Sequence, residues 1–305
     1  MSDWQCPLCK CTWMDWLFNS TDVTQSTCRT FAVVRCCRCN VFSLQPRPQP
    51  HEILSLYPQN YQPFKGHEED LNCFSRWSYR RHYGYRRRAV CQAKPGGGRL
   101  LDVGCGTGSF LSELQRAGGW QTMGIDINQS AVGVACRRGV NARRGELSAL
   151  DLPTSSFDVV TMWEVIEHVL DPRKTLVEIR RILKPEGVLL LSTPNGESWQ
   201  ARLWGVHWPG WDIPRHLQVF SLPTLRQLLR YTGFEIVRRL AFPMERFYAV
   251  EGARRWLQVQ GCESSQPSVR RLTSLMGLAA WPVLRLTDNI PSASSLVIEA
   301  RVISG

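Results

Sequence analysis

Leu100-Leu101-Asp102-Val103-Gly104-Cys105-Gly106-Thr107-Gly108-Ser109-Phe110-Leu111 is an apolar run that passes through three alternate glycines into a pattern of helical period. It predicts a strand, a tight turn and a helix, in that order. Glycine suits the turn because backbone that bends sharply and comes close to a ligand has no room for a Cβ. Such a triplet also occurs in purely structural loops, so its meaning depends on its surroundings. The next predicted strand ends at Gly124-Ile125-Asp126, about twenty residues on, where a carboxylate can accept both hydroxyls of a ribose or cap the following helix. A pyrophosphate-binding turn has the spacing G-x-G-x-x-G, whereas here Asp102 precedes three alternating glycines. A carboxylate in that place repels phosphate and attracts a cation, which points away from a dinucleotide.

Outward from this turn, strand-like runs at 99–103, 122–125, 140–143, 157–162 and 188–192 alternate with helical patterns after Gly108 and over 130–138 and 172–183. Asp171 caps the last of these helices, Pro172 fits its first turn, and Lys184-Pro185-Glu186-Gly187 ends it. That alternation is the signature of βαβ units, so the fold class is α/β with a doubly wound, mostly parallel sheet. Two later strands, 234–240 and 295–302, form a hairpin-like pair around a helical insert at 244–291.

Further motifs follow in order: Gly145-Glu146-Leu147-Ser148-Ala149-Leu150-Asp151-Leu152-Pro153, then Phe157-Asp158-Val159-Val160, then Trp163-Glu164-Val165-Ile166-Glu167-His168-Val169. With the glycine turn and Asp126 they resemble the class I S-adenosylmethionine-dependent methyltransferases over about residues 95–240. The resemblance implies a Rossmann-like sheet of seven strands with the last antiparallel. The implied cofactor is S-adenosylmethionine, whose ammonium and sulfonium suit Asp102. The implied contacts are Asp102, Gly104, Cys105, Gly106 and Gly108 in the turn, Asp126 and Ile127 at the ribose, Glu146 and the backbone of Leu147 at the adenine, and Met162 and Trp163 beside the methionine part. The family more often has Asp where Glu146 stands.

Methyl transfer from a sulfonium is an in-line displacement in which positioning supplies most of the acceleration and a base helps. His168 is the leading general base, with Glu164 beside it at the carboxyl end of the fourth predicted strand of the sheet. A second histidine, His216 in Asp212-Ile213-Pro214-Arg215-His216-Leu217, follows a tryptophan-rich loop at 199–211 that is expected to close over the substrate. Glu164, Glu167, His168 and a distant histidine resemble the divalent-metal set of small-RNA 2′-O-methyltransferases, and the first three also resemble a motif of quinone O-methyltransferases. A metal there would lower the pKa of a bound hydroxyl. The alternative is that these residues only orient loops.

Seven of the twelve cysteines lie within the first 39 residues, which in a chain of 305 residues reads as metal ligation and not as a disulfide scaffold. Cys6-Pro7-Leu8-Cys9 and Cys36-Cys37-Arg38-Cys39 are two C-x-x-C knuckles 26 residues apart, so Cys6, Cys9, Cys36 and Cys39 are expected to hold a structural Zn2+ in a zinc-ribbon-like module at 1–45. Cys11, Cys28 and Cys37 are spare thiols. The run Gln45-Pro46-Arg47-Pro48-Gln49-Pro50 starts a linker and helical cap at 46–94, and the catalytic domain takes 95–305. Ribbon, proline link and Tyr57-x-x-x-Tyr61 together resemble the N-terminal part of bacterial methyltransferases associated with glycans and small metabolites. Arginines and aromatics alternate from Arg76 to Arg88, either as a helix that covers the cofactor with a solvated basic face or as a single-strand nucleic-acid binder.

A net charge of +11 favours anionic partners without choosing among them, and 43% hydrophobic residues exclude a disordered chain. No apolar run has the length of a membrane span and the start lacks the regions of a signal peptide, so the expected location is cytoplasmic. In the insert, Arg254-Arg255 and Arg270-Arg271 stand beside apolar runs such as Leu275-Met276-Gly277-Leu278-Ala279-Ala280-Trp281, either a core-facing stripe or a peripheral membrane contact. The expected acceptor is a small molecule, sugar or lipid-linked glycan, by O-methylation. The alternatives are an RNA methyltransferase and a zinc-dependent nucleic-acid-binding protein whose methyltransferase-like domain is inactive.

Overall fold

A computed structural model describes residues 4–22, 29–57, 73–261, 266–288 and 290–303. The chain opens with three antiparallel strands, β1 (Met14–Thr21), β2 (Thr30–Cys36) and β3 (Phe42–Gln45). A 3-10 turn at Pro50–Leu56 and the long helix α1 (Cys73–Ala93) follow. Strands and helices then alternate: β4 (Gly98–Val103), α2 (Ser109–Arg116), β5 (Trp120–Asp126), α3 (Gln129–Arg137), β6 (Ala142–Arg144), β7 (Phe157–Trp163), α4 (Pro172–Ile182) and β8 (Leu183–Pro194). The rest is α5 (Trp199–Trp204), β9 (Gln218–Val219), α6 (Leu222–Tyr231), β10 (Phe234–Arg239), α7 (Glu245–Val259), α8 (Pro267–Ala279), α9 (Trp281–Thr287) and β11 (Ser295–Val302).

The seven-stranded sheet has the order β10-β11-β8-β7-β4-β5-β6. Strands β8, β7, β4, β5 and β6 pair in parallel, and β11 is antiparallel to β10, as the resemblance implies. Helices cover both faces, so the central strands carry continuous buried runs: Leu100 and Leu101, Val159 and Val160, and Leu189, Leu190 and Leu191 are all fully buried. Helix α4 begins as its sequence predicts, with the Asp171 side chain accepting from Lys174 N at 3.0 Å ahead of Pro172. Its end differs. The chain leaves the helix at Ile182 and goes directly into β8, because Leu183 pairs with Phe157; the next pair is Val159 with Val188, so Lys184 to Gly187 form an irregularity inside the strand.

The division into compact units does not follow the linear boundaries 1–45, 46–94 and 95–305. One unit gathers Met1–Leu56, Thr193–Leu225 and Leu240–Val297; the other holds Tyr57–Ser192, Arg226–Arg239 and Ile298–Gly305. The first unit contains a four-stranded sheet of order β1-β2-β3-β9, in which Phe42 pairs with Val219. The reason is hydrophobic: a short cysteine-rich sheet buries too little apolar surface by itself. Phe31, Val33, Phe42 and Leu44 pack in one cluster with Trp208, Trp211, Ile213 and Tyr248. The segment 199–211, expected to be a loop over the substrate, is helical in part and contributes Ala201, Trp208 and Trp211 to this core, with Trp208 fully buried and stacked on Tyr248, while Leu203 and Val206 stay exposed. The insert 244–291 is helical, and Gly252 lets α7 approach α5: a Cβ there would lie 2.6 Å from Trp204 Cδ1. Tyr61 and Cys28 lie outside the described residues. Among the described residues no helix is long and apolar enough to cross a membrane.

Candidate active site

The glycine turn between β4 and α2 holds Gly104, Gly106 and Gly108 at φ of 74°, 52° and 73°, a region that side chains with a Cβ disfavour. Space is lacking as well. A Cβ on Gly104 would lie 2.4 Å from Val165 Cγ2, and one on Gly108 2.9 Å from Ala135 Cβ. The turn is tied to β5 by Gly104 N and Cys105 N, which both donate to Ile125 O at 2.8 and 3.0 Å. Arg138 braces its far side, donating to Thr107 O and Thr107 Oγ1, each at 3.1 Å.

Asp126, at the end of β5, is buried and accepts from Gly106 N and Asn128 N, one bond at each carboxylate oxygen and both 2.8 Å long. It is not the cap of α3: Asn128 fills that role, accepting from Ala131 N at 2.9 Å. A carboxylate offers about four lone-pair sites, so Asp126 retains acceptor capacity for two hydroxyls. Burial pushes its pKa up, against the backbone bonds that hold it down. Gly145 N donates to Asp126 O at 3.0 Å, which sets the 3-10 turn Leu147–Ala149 beside this carboxylate, with Glu146 exposed before it and Leu147 buried within it. Ile127 is half-buried next to Asp126.

Asp102 is the penultimate residue of β4, its carboxylate buried against β7, where Thr161 Oγ1 donates to it at 2.6 Å. Burial pushes its pKa up to about 7, opposed by the Thr161 bond and by the charge of Arg86. Arg86 comes from α1 and lies over the rings of Trp163 and Tyr83, 5.3 and 5.8 Å from their centroids. Its Nε is buried and, among the described residues, has no hydrogen-bond partner. The basic face expected to be solvated is thus split: Arg88 is exposed over Tyr85, whereas Arg86 turns inward, its charge acting on Asp102 and Glu164.

Of the residues after β7, Trp163 is buried with its edge toward Phe110. Met162 is fully buried and, one residue away on a strand, points to the opposite face from Thr161 and Trp163. Glu164 sits at φ 56°, held by its N–H at 3.1 Å from Ser192 O and 3.0 Å from Ser192 Oγ. A left-handed conformation in a residue with a Cβ is kept only where the surroundings fix it, and such outliers concentrate at functional sites. Three residues on, Glu167 is fully buried; the next residue, His168, is half-buried with Nδ1 3.1 Å from the Tyr57 hydroxyl. His216 belongs to the first unit, where its Nδ1 is 2.8 Å from Gly210 O and burial lowers its pKa.

Residues 76–239 match the model of the methyltransferase domain. The chain belongs to the class I S-adenosylmethionine-dependent methyltransferase family. It is 33% identical over 168 residues to a probable S-adenosylmethionine-dependent methyltransferase of Mycolicibacterium smegmatis, a match that covers 52% of this chain and 60% of that one. It is 40% identical over 106 residues to the ubiquinone biosynthesis O-methyltransferase of Paraburkholderia phymatum, covering 32% of this chain and 45% of that protein. The chain therefore spans about half the length of the curated relatives it matches. Among solved structures the cyclase SpnF aligns with a TM-score of 0.50 and 24% identity over 72% of this chain and 80% of that one, a likeness of fold alone. A cyclase and methyltransferases on one fold make the site, not the sheet, the basis for function.

The chain has a second cluster, in its first unit. Cys6 Sγ lies 3.4 Å from Cys39 Sγ and Cys9 Sγ 3.5 Å from Cys36 Sγ, and all four sulfurs lie within 4.8 Å of one another. The two knuckles repeat one geometry. Lys10 and Asn40 both have φ 60°, and their N–H groups donate to Cys6 O and Cys36 O at 3.1 and 3.0 Å. Asparagine adopts this conformation readily; lysine does so here because the knuckle fold requires it. Cys9 N and Arg38 N point at Cys6 Sγ and Cys36 Sγ from 3.5 and 3.4 Å.

Proposed function

We propose that the chain transfers the methyl group of S-adenosylmethionine to a hydroxyl of a small molecule, a sugar or a lipid-linked glycan. The observation that carries this reading is the arrangement of polar groups around the glycine turn: two buried carboxylates, a cation with an unfilled donor, and a half-buried imidazole tied to a phenol. Asp126 would accept the ribose hydroxyls, and Asp102 and Arg86 would receive the ammonium and carboxylate of the methionine part. Glu146 and Leu147 would border the adenine. The turn leaves room for backbone contact because no Cβ fills it. When bound, the cofactor supplies an electrophilic methyl carbon on its sulfonium. His168 takes the proton of the acceptor hydroxyl on Nε2 while its Nδ1–H is donated to Tyr57, which makes Tyr57 a positioning residue. The ubiquinone biosynthesis O-methyltransferase among the relatives supports oxygen as the accepting atom. In the same reading Cys6, Cys9, Cys36 and Cys39 hold a structural zinc ion.

The deciding assay incubates a cell extract with the protein and radiolabelled S-adenosylmethionine and separates lipid, small-molecule, RNA and protein fractions. Label is expected in the first two. Label confined to RNA, or to protein, overturns the acceptor class. With an acceptor in hand, His168→Ala is expected to lower kcat by at least about a hundredfold, the usual contribution of a general base. Tyr57→Phe is expected to shift the pH–rate profile with a smaller loss of kcat, whereas unchanged rates in both variants remove these residues from catalysis.

Asp102 adds a pH dependence with a defined sign. An ammonium ligand needs the ionised carboxylate, and the free carboxyl is pushed up to about 7. Affinity for S-adenosylhomocysteine is expected to rise about tenfold between about pH 6 and about pH 8. Protein stability follows the opposite course: the folded state holds this proton above the pH at which the unfolded chain releases it, so stability declines as pH rises from about 4 through about 7. Calorimetric titrations across this range check the first effect, and Asp102→Asn should flatten it; a pH-independent affinity in the parent protein contradicts the role.

A further inference from the structure

Helix α8 has its large apolar residues on the outside. It buries Thr273 and Gly277, one turn apart, while Leu272, Leu275 and Met276 are 54%, 63% and 56% exposed. The buried seam is a close helix contact: a Cβ on Gly277 would lie 2.4 Å from Val250 Cγ2 of α7. Thr273 Oγ1 is satisfied there by Val269 O at 2.9 Å and by Arg254 Nε at 3.0 Å. Helix α9 continues the pattern, burying Leu284 and leaving Trp281, Val283 and Leu286 exposed by 42%, 66% and 76%. A helix that serves only a globular core turns its large apolar side chains inward and its threonine and glycine outward. A contiguous apolar surface of the opposite kind marks a place where something else docks.

The charge around it selects the occupant. Residues 245–287 carry six arginines and three glutamates. Of the glutamates, Glu245 is buried and Glu251 is paired with Arg254. Arg270 and Arg271 are exposed on α8 next to the apolar ridge. A second copy of the same surface would bring these like charges together. A bilayer with anionic head groups meets both features at once, because arginines pair with the head groups while the ridge enters the acyl boundary. Helix α8 has 13 residues, too few to span a bilayer, and among the described residues no helix is both long and apolar enough to cross a membrane, so the element lies in the interface plane. We propose that the outer face of α8 and α9 docks the chain on anionic lipid bilayers. The proposal rests on this surface alone and is independent of the methyl acceptor.

The test is flotation of the full chain with phosphatidylcholine vesicles made with and without phosphatidylglycerol. Binding is expected to be at least about tenfold tighter to the anionic vesicles and to weaken as salt is added. Leu275→Glu combined with Val283→Glu places two charges on exposed positions of the ridge. It is expected to lower anionic-vesicle binding at least about tenfold with unchanged circular dichroism and S-adenosylhomocysteine affinity. No flotation with anionic vesicles overturns the proposal, as does equal binding by parent and variant. A parent protein that is dimeric without vesicles and becomes monomeric on this double substitution assigns the face to a second copy and also overturns it.

Discussion

Asp126→Ala is expected to weaken S-adenosylhomocysteine binding by at least about a hundredfold in titration calorimetry, with a retained folding transition. The carboxylate has two duties. It accepts the N–H groups of Gly106 and Asn128 at 2.8 Å each, so it fixes the glycine turn and the start of α3 relative to one another. Its remaining lone pairs are the ribose acceptors in the proposed reading. Hydrogen bonds to a charged group contribute about 1.5–3 kcal/mol each, so losing two to the ligand amounts to roughly 3 kcal/mol or more. At about 1.4 kcal/mol per tenfold in affinity, that is about a hundredfold. Asp126→Asn separates the two duties: its one amide oxygen can still serve one backbone donor but leaves the ribose a donor where it needs an acceptor. An Asp126→Ala protein that binds as tightly as the parent defeats the assignment of this residue.

Much of this site was legible because its signals are local. The alternation of strands and helices, the cap and Pro172 of α4 and the glycine turn all depend on residues a few positions apart. What was not legible depends on partners far along the chain. Strand β9 is only Gln218–Val219, and its strand character comes from pairing with Phe42 and Ser43. The tryptophans of 199–211 look like an exposed loop in sequence, yet the apolar faces of β2 and β3 need cover and take Trp208 and Trp211. In α1, the run of arginines and aromatics hides which side faces inward. A signal was present: Tyr83, Arg86 and Val90 follow at helical spacing, and Val90 is fully buried, so Arg86 shares the inward face. Tyr57 stands before a segment with no readable period, and only the folded chain brings it to His168.

Cys6→Ser combined with Cys39→Ser is expected to release about one zinc ion per chain and to abolish the cooperative unfolding of the first unit, while S-adenosylhomocysteine still binds. Zn–S bonds of about 2.3 Å in a tetrahedron place sulfurs about 3.8 Å apart. The pairs at 3.4 and 3.5 Å, with every sulfur within 4.8 Å of the others, have nearly that arrangement already. Four thiols so close do not ionise together without a cation among them; burial pushes Cys36 up to about 12, and its neighbour Cys6 together with burial raises Cys39. In small zinc domains the ion contributes about 10 kcal/mol or more to folding, which equals the whole stability of a typical domain. The loss spreads beyond the knuckles because Cys36 ends β2, and β2 carries Phe31 and Val33 into the tryptophan cluster. Asp102, Asp126 and the glycine turn belong to the other unit, so ligand affinity is the control. Cys11→Ser and Cys37→Ser serve as a second control, since neither thiol is in the four-sulfur group, and both should keep the metal. Elemental analysis of the purified parent protein decides the matter, and a natively folded, metal-free chain rules the site out.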